Sequence, residues 1–541
     1  MVKRHGEIMS RKKCIANEKN AAGRRLDRFR PIDENPSEDS PNMLAAQQGH
    51  SSGHPFSLLI PLDTAVPQSR ILHRPGVGWT VNLEPVLAAY SHRLPIPQLV
   101  LEEGLLARLG PHLDTLFPAM PCLLAADPTT WSVAGPTVEA SLRACGRSVQ
   151  RHILRPSRPG ATVQADDDQV EALRQTLEQF PHALLLALGS GTVNDVAKLA
   201  SFKMERPYIT IPTAPSMNGY TSPIAAIRSQ GLKTTQPCHL PRACLVDLQL
   251  VAQAPYRMLA AGLGDSLSKP VSHADWLLSH YLLETSYNTV ALPLMEESAR
   301  LLQDVPGPLP TRSLRTVGAL MAALCLSGLG MALAGSSAPA SGGEHLISHY
   351  LDMTAGPQGA DLHGCQVGVA TLVTASFYQY LLGDTAAAID IEARLGALST
   401  WSERTGQIKR HFGPLATAVL PQARALHPTA ALLRQRLHRL QHSWPELAAS
   451  LAANLRPPAA IAADLHRAGA PSRFAELGLS PHRARHAILY GKDIRDRYTI
   501  LHLAAELGQL DAWTNRILAD ELHAGEAPEK QPKPGPPGQT T

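Results

Sequence analysis

The sequence predicts two domains in series, an α/β domain built on a parallel sheet and then an all-helical domain. Three observations carry that prediction. From about residue 118 to 250, short continuous apolar runs alternate with helix-patterned segments, which means strand–helix–strand units whose sheet is covered on both faces. After Pro255 the strand signals stop, and Ala/Leu-rich stretches broken by Gly and Pro run to about residue 525. A chain of 541 residues with 44% hydrophobic content is long enough for two cores and too apolar for wholesale disorder.

The elements follow in order. Residues 1–55 form a basic extension, expected to be disordered. Residues 1–30 hold ten Lys/Arg against three Asp/Glu, leaving 40 against 43 in the rest of the chain. No continuous apolar core lies between Met1 and Met43, so a secretory signal is excluded. The near-neutral remainder gives no case for nucleic-acid binding. Residues 56–252 make the α/β domain. Strands are expected at Met120–Ala126, Gln150–Leu154, Ala183–Leu188, Tyr208–Ile211 and Ala243–Val246. Helices are expected at Val138–Cys145 and at Asp168–Gln179, where Val170, Leu173 and Leu177 fall at helical spacing. Residues 253–525 make the helical domain, and residues 526–541 form a Pro/Gly/Lys tail, again expected to be disordered. The uncharged run TVGALMAALCLSGLGMALAG, Thr316 to Gly335, has the length of a membrane span. Its small residues and missing aromatic belt point instead to a buried helix. Seven scattered cysteines with no C-x-x-C pair argue against a disulfide framework and a thiolate zinc site, and fit reduced thiols in a cytoplasm.

Three segments carry chemistry. In ALLLALGSGTVNDVAKLASF a buried strand ends at Leu188 and Gly189-Ser190-Gly191-Thr192 opens a helix. Such a turn lets backbone approach a pyrophosphate and offers free N–H groups. Asn194 stands where a third fingerprint glycine would be, so the segment alone is equally a tight connection. In YITIPTAPSMNGYTSPIA a strand runs into a loop of hydroxyls and amides, placed to bond phosphate or ribose or simply to be solvated. In the helical domain, AAGLGDSLSKP supplies Asp265, SGGEHLISHYLD places His345 and His349 one turn apart, and DLHGCQVGVA supplies His363. One carboxylate with two imidazoles makes a three-ligand divalent site with an open position. Among 23 histidines, ordinary helix residues are the plainer reading of those positions taken singly.

Taken together and in this order, GSGTVND, PTAPSMNGYTSP, GLGDSLSK, SGGEHLISHYLD and LHGCQVGV resemble the sn-glycerol-1-phosphate dehydrogenase family. That family lies within the group of iron-containing alcohol dehydrogenases, glycerol dehydrogenases and dehydroquinate synthases. The likeness covers about 120–400 and extends more weakly through IRDRYTILHLAAELGQL. It implies a dehydroquinate synthase-like fold, with a Rossmann-like dinucleotide-binding domain followed by a metal-binding helical one. It also implies NAD- or NADP-linked interconversion of dihydroxyacetone phosphate and sn-glycerol 1-phosphate, in lipid biosynthesis, by a cytoplasmic homo-oligomer. Carried over residue by residue, Gly191, Thr192, Val193, Asn194, Asp195, Thr213, Ala214, Pro215, Ser216 and Ser222 would contact the dinucleotide. Asp265, His345 and His363 would hold one divalent metal, zinc before nickel or iron. Asn218, Asp265 and His349 would touch substrate, with Asp265 and His349 catalytic. Lys269, one turn beyond Asp265, is a candidate for the phosphate. Asn218 stands where the family usually has Asp, and Gly343 where it usually has Ser. The alternatives are a relative acting on another polyol and a silent relative that only binds a nucleotide or sugar phosphate.

Overall fold

The computed structural model describes residues 68–525 except 94, 96, 157–161, 230–231, 356–359 and 384–388. The expected N-terminal extension and C-terminal tail lie outside the described residues.

Ten strands lie between residues 70 and 247: β1 (Arg70–Arg74), β2 (Gly78–Asn82), β3 (Gln98–Glu102), β4 (Cys122–Ala126), β5 (Val149–Ile153), β6 (Leu184–Gly189), β7 (Tyr208–Pro212), β8 (Ile224–Ser229), β9 (Leu232–Pro237) and β10 (Ala243–Asp247). Eight form one sheet in the order β1-β2-β3-β10-β7-β6-β4-β5. β3 to β5 run parallel in that order, and the β1–β2 hairpin continues the sheet antiparallel at one edge. β4, β6, β7 and β10 are buried along their whole length, as their apolar runs required. Their side chains alternate between two cores. Leu124, Leu184, Leu186 and Leu188 pack on one face, and Leu123, Ala125, Leu185 and Ala187 on the other. β8 and β9 form a separate antiparallel ribbon.

The helix expected at Val138–Cys145 is the second half of a 17-residue helix, α1 (Pro128–Ala144). Its first half, PTTWSVAG, is poor in strong helix formers and is followed by Pro136. A capping box nucleates it all the same. The Asp127 side chain accepts from the Thr130 N–H, and the Thr130 hydroxyl oxygen accepts from the Asp127 N–H. The helix α2 (Asp167–Gln179), capped by Asp166, covers the opposite face, with Val170, Leu173 and Leu177 buried in that core.

Beyond β10 every element among the described residues is a helix. The long apolar run becomes the helix Leu314–Ala334. It is apolar enough to cross a membrane, but 89% of its most hydropathic window is buried inside the protein, which makes it the central core helix. The six described cysteines are free.

Backbone-to-backbone contact sets the position of the later helices. A Cβ on Gly364 would lie 1.9 Å from the Ala261 carbonyl oxygen, and one on Gly328 would lie 2.5 Å from that of Asn218. The helix Tyr256–Leu267, which carries Asp265, therefore seats directly on the helix that begins at His363. The core helix likewise seats directly on the loop after β7.

Candidate functional site

A cavity of about 470 Å³ collects residues from four of the five motifs singled out in the sequence, all but GLGDSLSK. One wall is the connection from β6 into the helix α3 (Gly191–Lys203), together with the loop after β7. This is where chain order reverses in the sheet, since β4 lies between β6 and β5. Crevices at such points at strand C-termini are the usual ligand sites of open α/β sheets. The opposite wall comes from the helices α4 (Gly343–Met353) and α5 (His363–Gly383) and from a late loop that presents Arg495. A larger cleft of about 730 Å³ lies among β2, β3 and Arg242, and none of the motif residues lines it.

The first wall presents backbone. The first N–H groups of α3, from Gly191 to Val193, have no partner within the helix. A Cβ at Gly191 would meet nothing closer than Met217 at 3.7 Å, so the space in front of it is open. Val193 and Ala214 are buried in apolar cores, and only their backbone can face a ligand. Asn194 is fully buried. Its amide donates to the Asp195 carboxylate at 3.1 Å and to the Gly219 carbonyl at 3.3 Å. Lys198, also fully buried, donates to the Ile224 carbonyl at 2.8 Å and to Ser222 Oγ at 3.2 Å, and its ammonium lies 3.7 Å from Asp195. It ties α3 to the loop and to β8. Gly191, Thr192, Asp195, Ser216, Asn218 and Ser222 line the cavity, whereas Val193, Asn194, Thr213, Ala214 and Pro215 lie behind its surface.

The second wall presents imidazoles. His345 and His363 have ring centroids 5.2 Å apart, His349 and His363 5.4 Å, and His345 and His349 6.1 Å. Their tautomers follow from their neighbours. Glu344 Oε1 accepts from the Gly342 N–H, from Ser272 Oγ and from His345 Nδ1, each at 2.7 Å. That leaves His345 Nε2 with a lone pair, 3.6 Å from Asp265 Oδ1. Gln366 Nε2 donates to Asp352 and to the Asp361 carbonyl, so its oxygen accepts the Ser348 hydroxyl hydrogen at 2.8 Å. Ser348 Oγ must then accept from His363 Nδ1, 2.9 Å away, which frees His363 Nε2 as well. His349 Nδ1 is buried with no partner.

Asp265 lies one layer behind the cavity surface. It accepts from the Asn218 N–H at 3.0 Å and from Lys269 at 2.8 Å. Burial alone would raise its pKa, but the Lys269 ammonium, 2.8 Å away, holds it well below the ordinary carboxylate range. Burial, and then the Lys233 charge, push His363 down to about 3. Burial and then Arg495 hold His349 well below its ordinary value. Asp275 backs this wall. It accepts from the Gly343 N–H, the Ile500 N–H and Tyr378 Oη, each at 2.6 Å, while burial and the Glu344 charge raise it to about 7.

No three carboxylate, imidazole or thiol groups among the described residues converge to ligand spacing. The donor chemistry nonetheless fits a divalent metal, because two imidazoles offer fixed Nε2 lone pairs beside an ionised carboxylate. Lys269 does not fit its expected role. Its amine is taken up by Asp265, Ser268 Oγ and the Ala340 carbonyl, and it does not line the cavity. Gly343 is also explained, since a Cβ there would crowd Thr374 at 3.1 Å and Leu501 at 3.3 Å. Sequence reasoning missed Glu344, Ser348, Gln366, Lys233, Asp352 and Arg495. The faint signal for Arg495 was a charged IRDR stretch just before an apolar helix.

A parallel sheet with its switch-point crevice facing an imidazole–carboxylate cluster on helices defines a protein of the iron-containing alcohol dehydrogenase class. The family profile for iron-containing alcohol dehydrogenase matches residues 100–255. A curated glycerol-1-phosphate dehydrogenase [NAD(P)+] of Thermofilum pendens is 36% identical over 311 residues, 57% of this chain and 85% of that protein. One from Halalkalibacterium halodurans is 34% identical over 263 residues, 47% of this chain and 64% of that protein. The chain belongs to the glycerol-1-phosphate dehydrogenase family. Among solved structures, glycerol dehydrogenase of Schizosaccharomyces pombe superposes with a TM-score of 0.51 at 15% identity, covering 79% of this chain and 91% of that one, which supports the fold.

Proposed function

We propose that this protein is a metal-dependent, NAD(P)-linked oxidoreductase that interconverts dihydroxyacetone phosphate and sn-glycerol 1-phosphate. The carrying observation is the pair of imidazoles, His345 and His363, each held with Nε2 free beside Asp265. They face a helix N-terminus across one cavity. The names of the family relatives, glycerol-1-phosphate dehydrogenase [NAD(P)+], supply the substrate. Asp265, His345 and His363 would hold the metal, zinc before nickel or iron. Bound there, it would acidify the substrate alcohol in one direction and polarise the ketone in the other. The nicotinamide would accept or supply hydride.

The remaining work falls to the chain itself. The N–H groups of Gly191 to Val193 would bind the cofactor pyrophosphate, as α3 offers them with its positive dipole end. Glu344 and the Ser348–Gln366 relay fix the ring orientations of His345 and His363. His349 is neutral and its Nδ1 has no hydrogen-bond partner, so it would be free to hydrogen-bond a substrate hydroxyl. Asn218 donates its side-chain amide to Ser327 Oγ at 3.2 Å and its backbone N–H to Asp265, which couples the substrate loop to the metal wall. Tight packing of the core helix on that loop excludes water from the far side. Cytoplasmic location, a role in lipid synthesis and a homo-oligomeric state go with this reading.

The test is NADH or NADPH oxidation after loading with zinc, nickel or iron, on dihydroxyacetone phosphate, unphosphorylated dihydroxyacetone and other small ketones. Metal-dependent turnover fastest on dihydroxyacetone phosphate supports the reading. Preference for another ketone would move the chain to a different substrate within its class.

A further inference from the structure

One cation lining the cavity has neither an ion pair nor a hydrogen bond to any described residue. Three basic side chains line it: Arg228, Lys233 and Arg495. Lys233 is paired with the Asp352 carboxylate, and Arg228 donates to the Asp352 carbonyl at 3.3 Å. Arg495 has no ion pair and no hydrogen bond to any described residue, and its Nη2 is enclosed without an acceptor. The other guanidinium of its loop, Arg497, is committed to the Ser341 carbonyl and to Ser337 Oγ, and both of those residues also line the cavity. Arg497 thus fixes the wall, and Arg495 is left over. Burial, with the Arg497 charge beside it, lowers the Arg495 pKa to about 9, so the group stays protonated at neutral pH. A partly buried cation without a partner is costly, and a guanidinium is shaped to bind phosphate through two parallel N–H bonds.

The position agrees with the chemistry. Arg495 lines the same cavity as His345, His349 and His363. Lys269, the only cation that the sequence placed beside Asp265, is already engaged. We propose that Arg495 is the phosphate-binding residue of this cavity, gripping the phosphate monoester of the substrate so that its carbonyl or carbinol carbon lies against His345, His349 and His363. The proposal rests on the reading of the substrate given above, and its test needs no turnover.

The probe is inorganic phosphate, titrated calorimetrically into the full-length, metal-loaded protein and into Arg495→Gln and Arg495→Lys. The expected result is phosphate binding to wild type, weakened by about 30-fold or more in Arg495→Gln and less in Arg495→Lys, because lysine keeps the charge and loses the fork. NADH and NADPH affinities should stay unchanged. In turnover, kcat/KM for dihydroxyacetone phosphate should fall by about a hundredfold, far more than that for unphosphorylated dihydroxyacetone. If Arg495→Gln does not fold, the comparison of wild type with Arg495→Lys decides. Wild type that binds no phosphate overturns the proposal. So does equal binding by wild type and variants, or a loss that appears in NADPH affinity instead. Phosphate binding through Arg495 without reduction of dihydroxyacetone phosphate would uphold the subsite and defeat the substrate reading.

Discussion

The two walls of the cavity are built by different means. The wall after β6 and β7 is mostly backbone: one helix start, an open glycine, and a loop lashed down by Lys198 from behind. The wall on α4 and α5 is all side chains, drawn from segments far apart in the chain and aligned by a second layer of Glu344, Ser348, Gln366 and Asp275. A backbone wall should tolerate side-chain changes and fail when its approach is blocked. A side-chain wall should fail when single ligands are lost.

The largest expected effect is on the second wall. His345→Ala or His363→Ala should cut turnover by about a thousandfold or more and strip bound metal to about a tenth of wild type, with the circular dichroism spectrum intact. Elemental analysis of the purified variants decides it, and full metal content in both would remove these residues from the ligand set.

On the first wall, Gly191→Ala separates binding from folding. The added methyl meets no protein atom closer than 3.7 Å, so the melting temperature should not move. Cofactor affinity should drop by about tenfold, because the methyl occupies the approach of a phosphate. Fluorescence titration with NADH measures it, and unchanged affinity would place the pyrophosphate elsewhere.

Asn218 joins the two walls. An Asp there can accept the Ser327 hydroxyl hydrogen in place of the present amide-to-hydroxyl bond, so the exchange fits. The restored charge beside the reacting centre should raise kcat/KM on dihydroxyacetone phosphate by about tenfold, or 1.4 kcal/mol. A neutral or harmful Asn218→Asp would show the loop to be tuned around the amide.

The smallest effect is on stability, and it belongs to both regions. Burial pushes His239 in the sheet region and His273 in the helical one to about 4, and His502 to about 3. The unfolded chain takes up these protons near pH 6.5, but the folded one does so only near 4 or 3. Stability is therefore fully present above pH 6.5 and is lost as pH falls toward 4 and 3. Melting curves should show a fall of several degrees between pH 7 and 5, and a flat profile would mean that these rings are already charged in the fold.

The same contrast governs what the sequence could reveal. β4, β6, β7 and β10 were legible because strands buried on both faces must be apolar throughout. The glycine turn after β6 was legible because backbone exposure leaves a local signature. The β8–β9 ribbon was not, since KTTQP carries no apolar alternation, and the first half of α1 was hidden behind weak helix formers and Pro136. Asp265, His345 and His363 were ordinary polar residues until the ordered family motifs singled them out, because 80 to 98 residues of chain separate the aspartate from its histidines. Arg495, 230 residues beyond Asp265, had only the charged IRDR stretch around it as a local signature, since being unpaired is a property of the folded cavity.

The central claim is that the imidazole wall and the backbone wall together run a stereospecific hydride transfer on a phosphorylated ketone. The most direct measurement loads the protein with zinc, supplies NADH and dihydroxyacetone phosphate, and determines the product's configuration with an enzyme specific for sn-glycerol 3-phosphate. The account predicts NADH consumption and a glycerol phosphate that the sn-3-specific enzyme does not oxidise, which identifies it as the sn-1 isomer. Binding of NADH with no consumption under zinc, nickel or iron, or a product that the sn-3-specific enzyme consumes, would contradict it.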